Sequence, residues 1–232
     1  MILDLHIHSR HSFDSLARPR DIVGAAKRKG LDGIAVTDHD TMAGGLEARE
    51  ANNDQGFVVI VGAEICSSAG DIIGLFLEEE IEAREPLAVV AEIHRQGGIA
   101  VLPHPFRGHM LSEELVETVD VVEAFNPRCD REENRRAVEL ANKHGKPIVA
   151  GSDAHTIGEI GLARTVLPSA DVRGGILGGK ATVEARYAPC HAEALSQLIK
   201  AVKARQYREV PRRSASVLLR LLGLRRGRME MH

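Results

Sequence analysis

Gly33-Ile34-Ala35-Val36-Thr37-Asp38-His39-Asp40-Thr41 is the stretch on which the fold turns. Residues 33–36 read as a short buried strand, and that strand delivers the chain directly into carboxylates and an imidazole. The same arrangement recurs along the sequence. Ile2-Leu3 leads into Asp4, His6 and His8, and the run 58–61 into Glu64. The run 99–102 leads into Pro103, His104 and Pro105, and Asp120-Val121-Val122 into Glu123 and Asn126. Ile148-Val149-Ala150 leads into Gly151, Ser152, Asp153 and His155. Strand-length runs fall at 2–7, 33–36, 57–63, 72–77, 99–102, 120–124 and 148–150, with further short ones at 166–167 and 182–186. Helical patterning marks 19–29, 42–55, 86–96, 130–144 and 191–207. Short strands bounded by helices predict a parallel sheet covered on both faces. Six or seven such units in about 200 residues predict a closed α/β barrel a little short of the eightfold one. In a parallel barrel the strand ends open on one rim, so polar residues scattered in sequence would converge in space.

Composition narrows the function classes. The 232 residues are 44% hydrophobic and 27% charged, as in a soluble globule. No stretch approaches about 18 uninterrupted apolar residues, which excludes an integral membrane protein. No basic segment precedes the first apolar run, so no secretory leader is expected. Three cysteines, Cys66, Cys129 and Cys190, form no Cys-x-x-Cys pair. A disulfide scaffold and a thiolate zinc site are therefore not expected, and a reducing cytoplasm fits. Seven aromatic residues, none of them Trp, leave the core to Val, Ile, Leu and Ala and make base-stacking platforms scarce.

Charge is distributed unevenly. Residues 200–232 hold ten Lys or Arg against two Glu, a net of +8, which leaves −11 on the other 199. The chain thus reads as a barrel domain over 1–207 followed by a basic amphipathic tail over 208–232. The Leu-rich face of the tail suits packing on the barrel or on a second subunit, making an oligomer through the tail an option. An anionic surface or a phosphate backbone is the other option.

The rim residues have a specific chemistry. His6-x-His8 and Asp153-x-His155 each place two ligands on one side of extended backbone. Imidazole with carboxylate suits Zn²⁺, Mn²⁺ or Fe²⁺, and the absence of thiolate argues against a purely structural site. His6, His8, His39, His104 and His155 with several carboxylates exceed what one tetrahedral ion uses. Two or three ions bridged by a carboxylate such as Glu64 follow, an arrangement that activates water and stabilises both oxygens of a phosphoryl transfer. Other histidines have plainer readings: His94 lies mid-helix, His144 precedes a helix stop, and His109, His191 and His232 lack a partner pattern. Cys66 and Cys129 read as small buried hydrophobes.

Four segments carry a resemblance. Asp4-Leu5-His6-Ile7-His8-Ser9, Thr37-Asp38-His39-Asp40-Thr41, Leu102-Pro103-His104-Pro105 and Gly151-Ser152-Asp153-Ala154-His155 resemble, in order, the four motifs of the PHP (polymerase and histidinol phosphatase) superfamily, over roughly residues 1–167. The resemblance implies a distorted (β/α)7 TIM-like barrel and two or three divalent ions, Mn, Zn or Fe, held by nine ligands. It adds Asp14 as a ligand to His6, His8, His39, Glu64, His104, Asp153 and His155. The ninth position, often His in the family, is Asp71 here. The grouping implied is His6, His8, Glu64 and Asp153 around one ion, and Asp14, His39 and His155 around another. Only 39 residues separate Glu64 from His104, so the inserted domain of some nucleotide-cleaving relatives is missing.

The implied activity is that of a metal-dependent phosphoric ester hydrolase in which metal-bound hydroxide attacks a small phosphomonoester or a nucleotide or oligonucleotide phosphate. Arg128 is the expected phosphate clamp, with Asn126 and Arg107 beside it. His11 is the expected proton donor, and Asp38, next to His39, the other catalytic side chain. Two rivals stand beside this reading: a histidinol-phosphate phosphatase, and a non-catalytic scaffold in a nucleic-acid-processing complex, which the basic tail would suit.

Overall fold

The computed structural model describes residues 1–224. In chain order the elements are β1 (Ile2–Ile7), α1 (Pro19–Arg28), β2 (Gly33–His39), α2 (Ala43–Ala51), β3 (Val58–Ser67), β4 (Gly70–Leu75) and α3 (Pro86–Arg95). There follow β5 (Ile99–Leu102), α4 (Glu113–Thr118), β6 (Val121–Phe125), α5 (Arg131–Lys143), β7 (Ile148–Ala150) and β8 (Ala163–Val166). The chain continues through α6 (Val172–Leu177), β9 (Thr182–Ala185), α7 (Ala192–Lys203) and α8 (Val210–Leu221). The nine strands form one sheet in the order β7-β6-β5-β4-β3-β2-β1-β8-β9, curled into a nearly closed, distorted TIM-like barrel. Near the seam the Thr165 hydroxyl donates to the Ala150 carbonyl at 2.8 Å and accepts the Ala150 N–H at 2.9 Å, in place of a backbone ladder.

The sheet is not wholly parallel, which corrects the sequence reading. β4 runs antiparallel to both β3 and β5, and β8 antiparallel to β1 and β9. The cause at β4 is the two-residue link Ser68-Ala69, far shorter than the dozen or more residues of a parallel crossover. This reversal has a functional consequence. It brings the start of β4, with Asp71, to the same rim as the late part of β3, with Glu64.

Period-two alternation sorts the core. Leu3, Leu5, Ala35, Ile60, Ile73, Ile99, Val101 and Val121 fill the barrel interior. Neighbouring positions point outward. Ile34 and Val36 meet α1 residues such as Ile22 and Ala26, while Ile72, Ala100 and Leu102 meet the α3 residues Val89, Val90 and Ile93. α4 and α6, of six residues each, were not visible as amphipathic periods. In the basic tail, α8 packs against α7 with its side of Leu218, Leu221 and Leu222 exposed. Arg225, Arg226 and His232 lie outside the described residues. No helix among the described residues is long and apolar enough to cross a membrane.

Candidate metal centre

One extra residue in β1 aims the first ligands. Leu3 and Leu5 face the interior and Ile7 the outer layer, so strict alternation would turn His6 outward. The pairing with β2 slips instead: Asp4 lies opposite Ile34 and Ile7 opposite Val36, three residues advancing against two. Such a bulge re-aims the side chains beyond it, and His6 and His8 both turn inward. Gly151 permits the close approach of the last motif, since a Cβ there would lie 2.3 Å from the His6 Cβ. Two candidate ligands, His104 (φ 28°) and Asp153 (φ 48°), sit in left-handed backbone, strain of the kind that clusters at functional sites.

The structure brings all nine candidate ligands together, in four overlapping sets whose donor atoms lie within 4.8 Å of one another. Glu64, 1% exposed, is the hub. Its Oε2 lies 3.4 Å from His6 Nε2, 3.3 Å from His8 Nε2 and 3.2 Å from His39 Nδ1, and its Oε1 lies 3.0 Å from His104 Nε2. Asp153 Oδ1 is 3.3 Å from His8 Nε2 and 3.4 Å from His155 Nδ1. Asp14 Oδ2 is 2.9 Å from His155 Nε2 and 3.6 Å from His39 Nε2. Asp71 groups with Glu64 and His104.

Charges in the cluster are strongly coupled. Burial alone would raise the Glu64 carboxyl, but His39 and His6 hold it well below its usual range. Burial likewise opposes, and His155 and His39 overcome the opposition, in keeping Asp14 ionised. Against burial, Glu64 and Asp14 raise His39 to about 9, whereas burial with His155 and His39 lowers His8 to about 4. Burial and then Glu64 raise Asp71.

Three observations test whether cations fit. His6 Nε2 and His8 Nε2 face each other at 3.1 Å. His6 Nδ1 is engaged by Glu123 Oε1 at 3.0 Å, which places the proton there and directs the Nε2 lone pair into the cluster. Asp14 Oδ1 is buried without a hydrogen-bond partner among the described residues. The donors are all imidazole nitrogen or carboxylate oxygen, the set that suits Zn²⁺, Mn²⁺ and Fe²⁺. The residues fit divalent cations. Mn²⁺ at a hundredfold excess over its Kd would add about 2.7 kcal/mol of stability. In a protein of this size that raises Tm by about 5–11 °C. A thermal melt with and without chelator checks this, and an unmoved Tm at saturating metal would contradict the fit.

The remaining predicted residues divide. Arg107 lines the cavity over the cluster and donates to Asp153 Oδ2 at 3.2 Å while 25% of its side chain stays exposed. Arg128, the expected phosphate clamp, reaches the same lining; its Nη2 donates to Glu159 Oε1 at 2.7 Å and its Nη1 to Ser196 Oγ at 3.0 Å, while its Nε is buried without a hydrogen-bond partner among the described residues. Asn126 is fully buried and donates to Glu123 and Asp153, which positions those two carboxylates. The Asp38 carboxylate accepts from the Ser9 N–H and Oγ, one step behind the cluster. His11 turns away to Glu47 Oε2 at 2.7 Å. Cys66 is exposed, not buried.

Glu123, which the sequence places at the rim after an apolar run, holds His6 Nδ1, the His104 N–H and Asn126 at once. Sequence reasoning passed over two further positioning residues. Ser12 Oγ lies 3.0 Å from His8 Nδ1 and accepts the His39 N–H. Lys203, on α7, donates to the carbonyls of Arg10, Ser12 and Ser15 and so fixes the loop that carries Asp14.

Comparison with known proteins agrees with this geometry. The family model described as PHP domain matches residues 4–213. An uncharacterised protein of Methanocaldococcus jannaschii is 38% identical over 140 residues, covering 54% of this chain and 82% of its own length. A second from the same organism is 36% identical over 175 residues, covering 70% of this chain and 69% of its own. Among solved structures, a two-domain protein from Bacteroides vulgatus containing a predicted PHP-like metal-dependent phosphoesterase superposes with a TM-score of 0.67 at 19% identity, over 80% of this chain. The present chain spans 65% of that protein, and the likeness is one of fold.

Proposed function

The chain belongs to the PHP domain family, and from that premise we propose that it is a metal-dependent phosphoesterase acting on a small phosphomonoester or on the phosphate of a nucleotide or oligonucleotide. One observation carries the reading: five imidazoles and four carboxylates converge beneath a cavity whose lining includes a partly exposed arginine, Arg107. A protein that had kept the fold only as a scaffold would have no use for so many desolvated charges, each costly to bury.

His6, His8, Glu64 and Asp153, then Asp14, His39 and His155, then Glu64, Asp71 and His104 would hold the divalent ions. When bound, these ions supply Lewis acidity and an activated water. The chain's own residues do the rest. Arg107 offers its free guanidinium N–H groups to a non-bridging phosphate oxygen, the bidentate recognition for which arginine is suited. Glu123 fixes the tautomer of His6 and the backbone at His104, and Asn126 bridges Glu123 to Asp153, so three ligands share one brace. His11 and Asp38 stand outside the cavity and have no step in this scheme.

The cavity limits the substrate. Its volume is about 130 Å³, against about 300–1,000 Å³ for pockets that enclose a whole small ligand. It therefore admits a phosphate and its nearest atoms, and the remainder of the substrate lies outside.

Phosphate release by the Mn²⁺-reconstituted protein, over a panel of phosphomonoesters, nucleotides and short oligonucleotides, is the test. Release is expected from the wild type and not from His6→Ala. A wild type that retains metal yet releases nothing from any panel member would overturn the reading in favour of a scaffold.

A further inference from the structure

Helix α8 is inverted with respect to the protein on which it packs. Arg213, Ser216 and Arg220 fall on one stripe of the helix and line the cleft against α7. Arg213 Nη1 donates to Gln197 Oε1 at 3.3 Å, and Arg220 Nη1 donates to the Cys190 carbonyl at 2.8 Å. These two arginine side chains are 25% and 15% exposed. The leucines lie on the other side, where Leu218, Leu219, Leu221 and Leu222 are 38–62% exposed. A surface helix ordinarily turns its apolar stripe to the core and its charges to water. Single exposed leucines are common, but four within five residues of one helix make a contiguous patch, and such patches mark contact sites.

The patch is set in positive charge. Residues 200–224 hold seven Lys or Arg against one Glu, a net of +6. Arg205, Arg208 and Arg212 are exposed, and Arg212 spends one nitrogen on Glu209. Whatever covers α8 therefore has to offer apolar matter and negative charge together. A second copy paired through the same helix would bring +6 against +6, a like-charge contact that opposes association. A nucleic acid would satisfy the arginines but has no apolar surface for four leucines, and Tyr207 is the one ring in residues 188–232 on which a base could stack.

We infer that α8 docks along an anionic phospholipid bilayer, with its leucines in the acyl boundary and the neighbouring Lys and Arg side chains among the headgroup phosphates. An amphipathic helix with leucines on one side and arginines around them is suited to that interface. Twelve residues are too few to span a bilayer, so the helix lies in the plane of the surface. The acidic body, at −11 over residues 1–199, is repelled by the same surface, which holds the barrel away and fixes its orientation. Docking requires no turnover and stands apart from the phosphoesterase reading.

Flotation of the full chain with phosphatidylcholine vesicles, and with vesicles in which about 30% of the lipid is phosphatidylglycerol, is the test. Binding to the anionic vesicles is expected, and binding to the neutral ones at least about tenfold weaker. Salt at about 1 M, where the Debye length is about 3 Å, should weaken the anionic binding. Leu218→Glu combined with Leu222→Glu sets two charges in the acyl boundary and should lower the affinity at least about tenfold. Leu177→Glu, at an exposed leucine of α6, should bind as the wild type does. Arg212→Glu keeps the leucines and should cost about fivefold or more. Arg212 is 77% exposed, so this variant reads the surface even if the double variant fails to fold. A wild type that ignores anionic vesicles, equal binding to neutral ones, or a folded double variant with undiminished binding would overturn the proposal. Without vesicle binding, a dimer that the double variant converts to monomer would assign the patch to a second copy, and capture of a single-stranded oligonucleotide would assign it to nucleic acid.

Discussion

Glu64→Gln is expected to leave a folded protein that has lost at least one metal ion per chain and roughly a thousandfold of its phosphate release. The expectation follows from the position of one carboxylate. Glu64 faces four imidazoles within 3.4 Å, from β1, the loop after it, β2 and the segment after β5. Glutamine keeps the shape but removes the negative charge and turns an N–H₂ toward nitrogens that need an acceptor or a cation. Losing a contact one step behind a metal ligand costs about 10–100-fold in affinity or activity. Glu123→Gln, whose carboxylate engages His6, His104 and Asn126 behind the ligands, should fall in that smaller range. Elemental analysis after dialysis, beside phosphate release, separates the two variants. A Glu64→Gln protein with wild-type metal content and turnover would remove this residue from the centre of the site.

The site was legible in the sequence because its chemistry is carried by residue type at strand ends. His6, His8, His39, His104, Asp153 and His155 each follow an apolar run, and a barrel must bring such ends to one rim. What the runs did not convey was direction and phase. The antiparallel β4 depends on the two-residue link at Ser68-Ala69, which sequence reading passed over in favour of a run of parallel units. The inward turn of His6 depends on a single-residue slip in β1, invisible to a period-two count. Asp14 and Asp71 carry no pattern of their own and were marked only by resemblance. Partnership was the least legible property. Asp38 and Arg128 have the residue types of a catalytic acid and a phosphate clamp, yet Ser9 engages the Asp38 carboxylate, and Glu159 and Ser196, distant in sequence, take two of the three Arg128 nitrogens and leave its Nε without a partner among the described residues.

Arg128→Ala is accordingly expected to act on stability and Arg107→Ala on substrate affinity. Arg128 and Glu159 form an ion pair at 2.7 Å with side chains 2% and 4% exposed. Removing one member of a buried pair strands the other charge and costs about 3–5 kcal/mol. For a chain of this size that is a drop in Tm of roughly 6–20 °C. The damage reaches the cluster as well, because Glu159 Oε2 accepts the His155 N–H at 3.3 Å and the Thr156 hydroxyl at 2.8 Å. Arg128→Ala combined with Glu159→Ala removes the stranded carboxylate and should recover part of the loss, an outcome a simple phosphate clamp does not predict. Arg107 is different: a quarter of its side chain is exposed, and its partner Asp153 keeps contacts with His8, His155 and Asn126 when it is gone. Its removal should cost about 1 kcal/mol or less of stability, while KM for a phosphoester rises about tenfold or more with the lost charge-assisted bond. Melting curves and steady-state kinetics on the three variants decide the assignment. An Arg128→Ala protein that melts with the wild type but binds phosphoester tenfold more weakly would return the clamp to Arg128, and would mean that Glu159 and Ser196 release its guanidinium when substrate arrives.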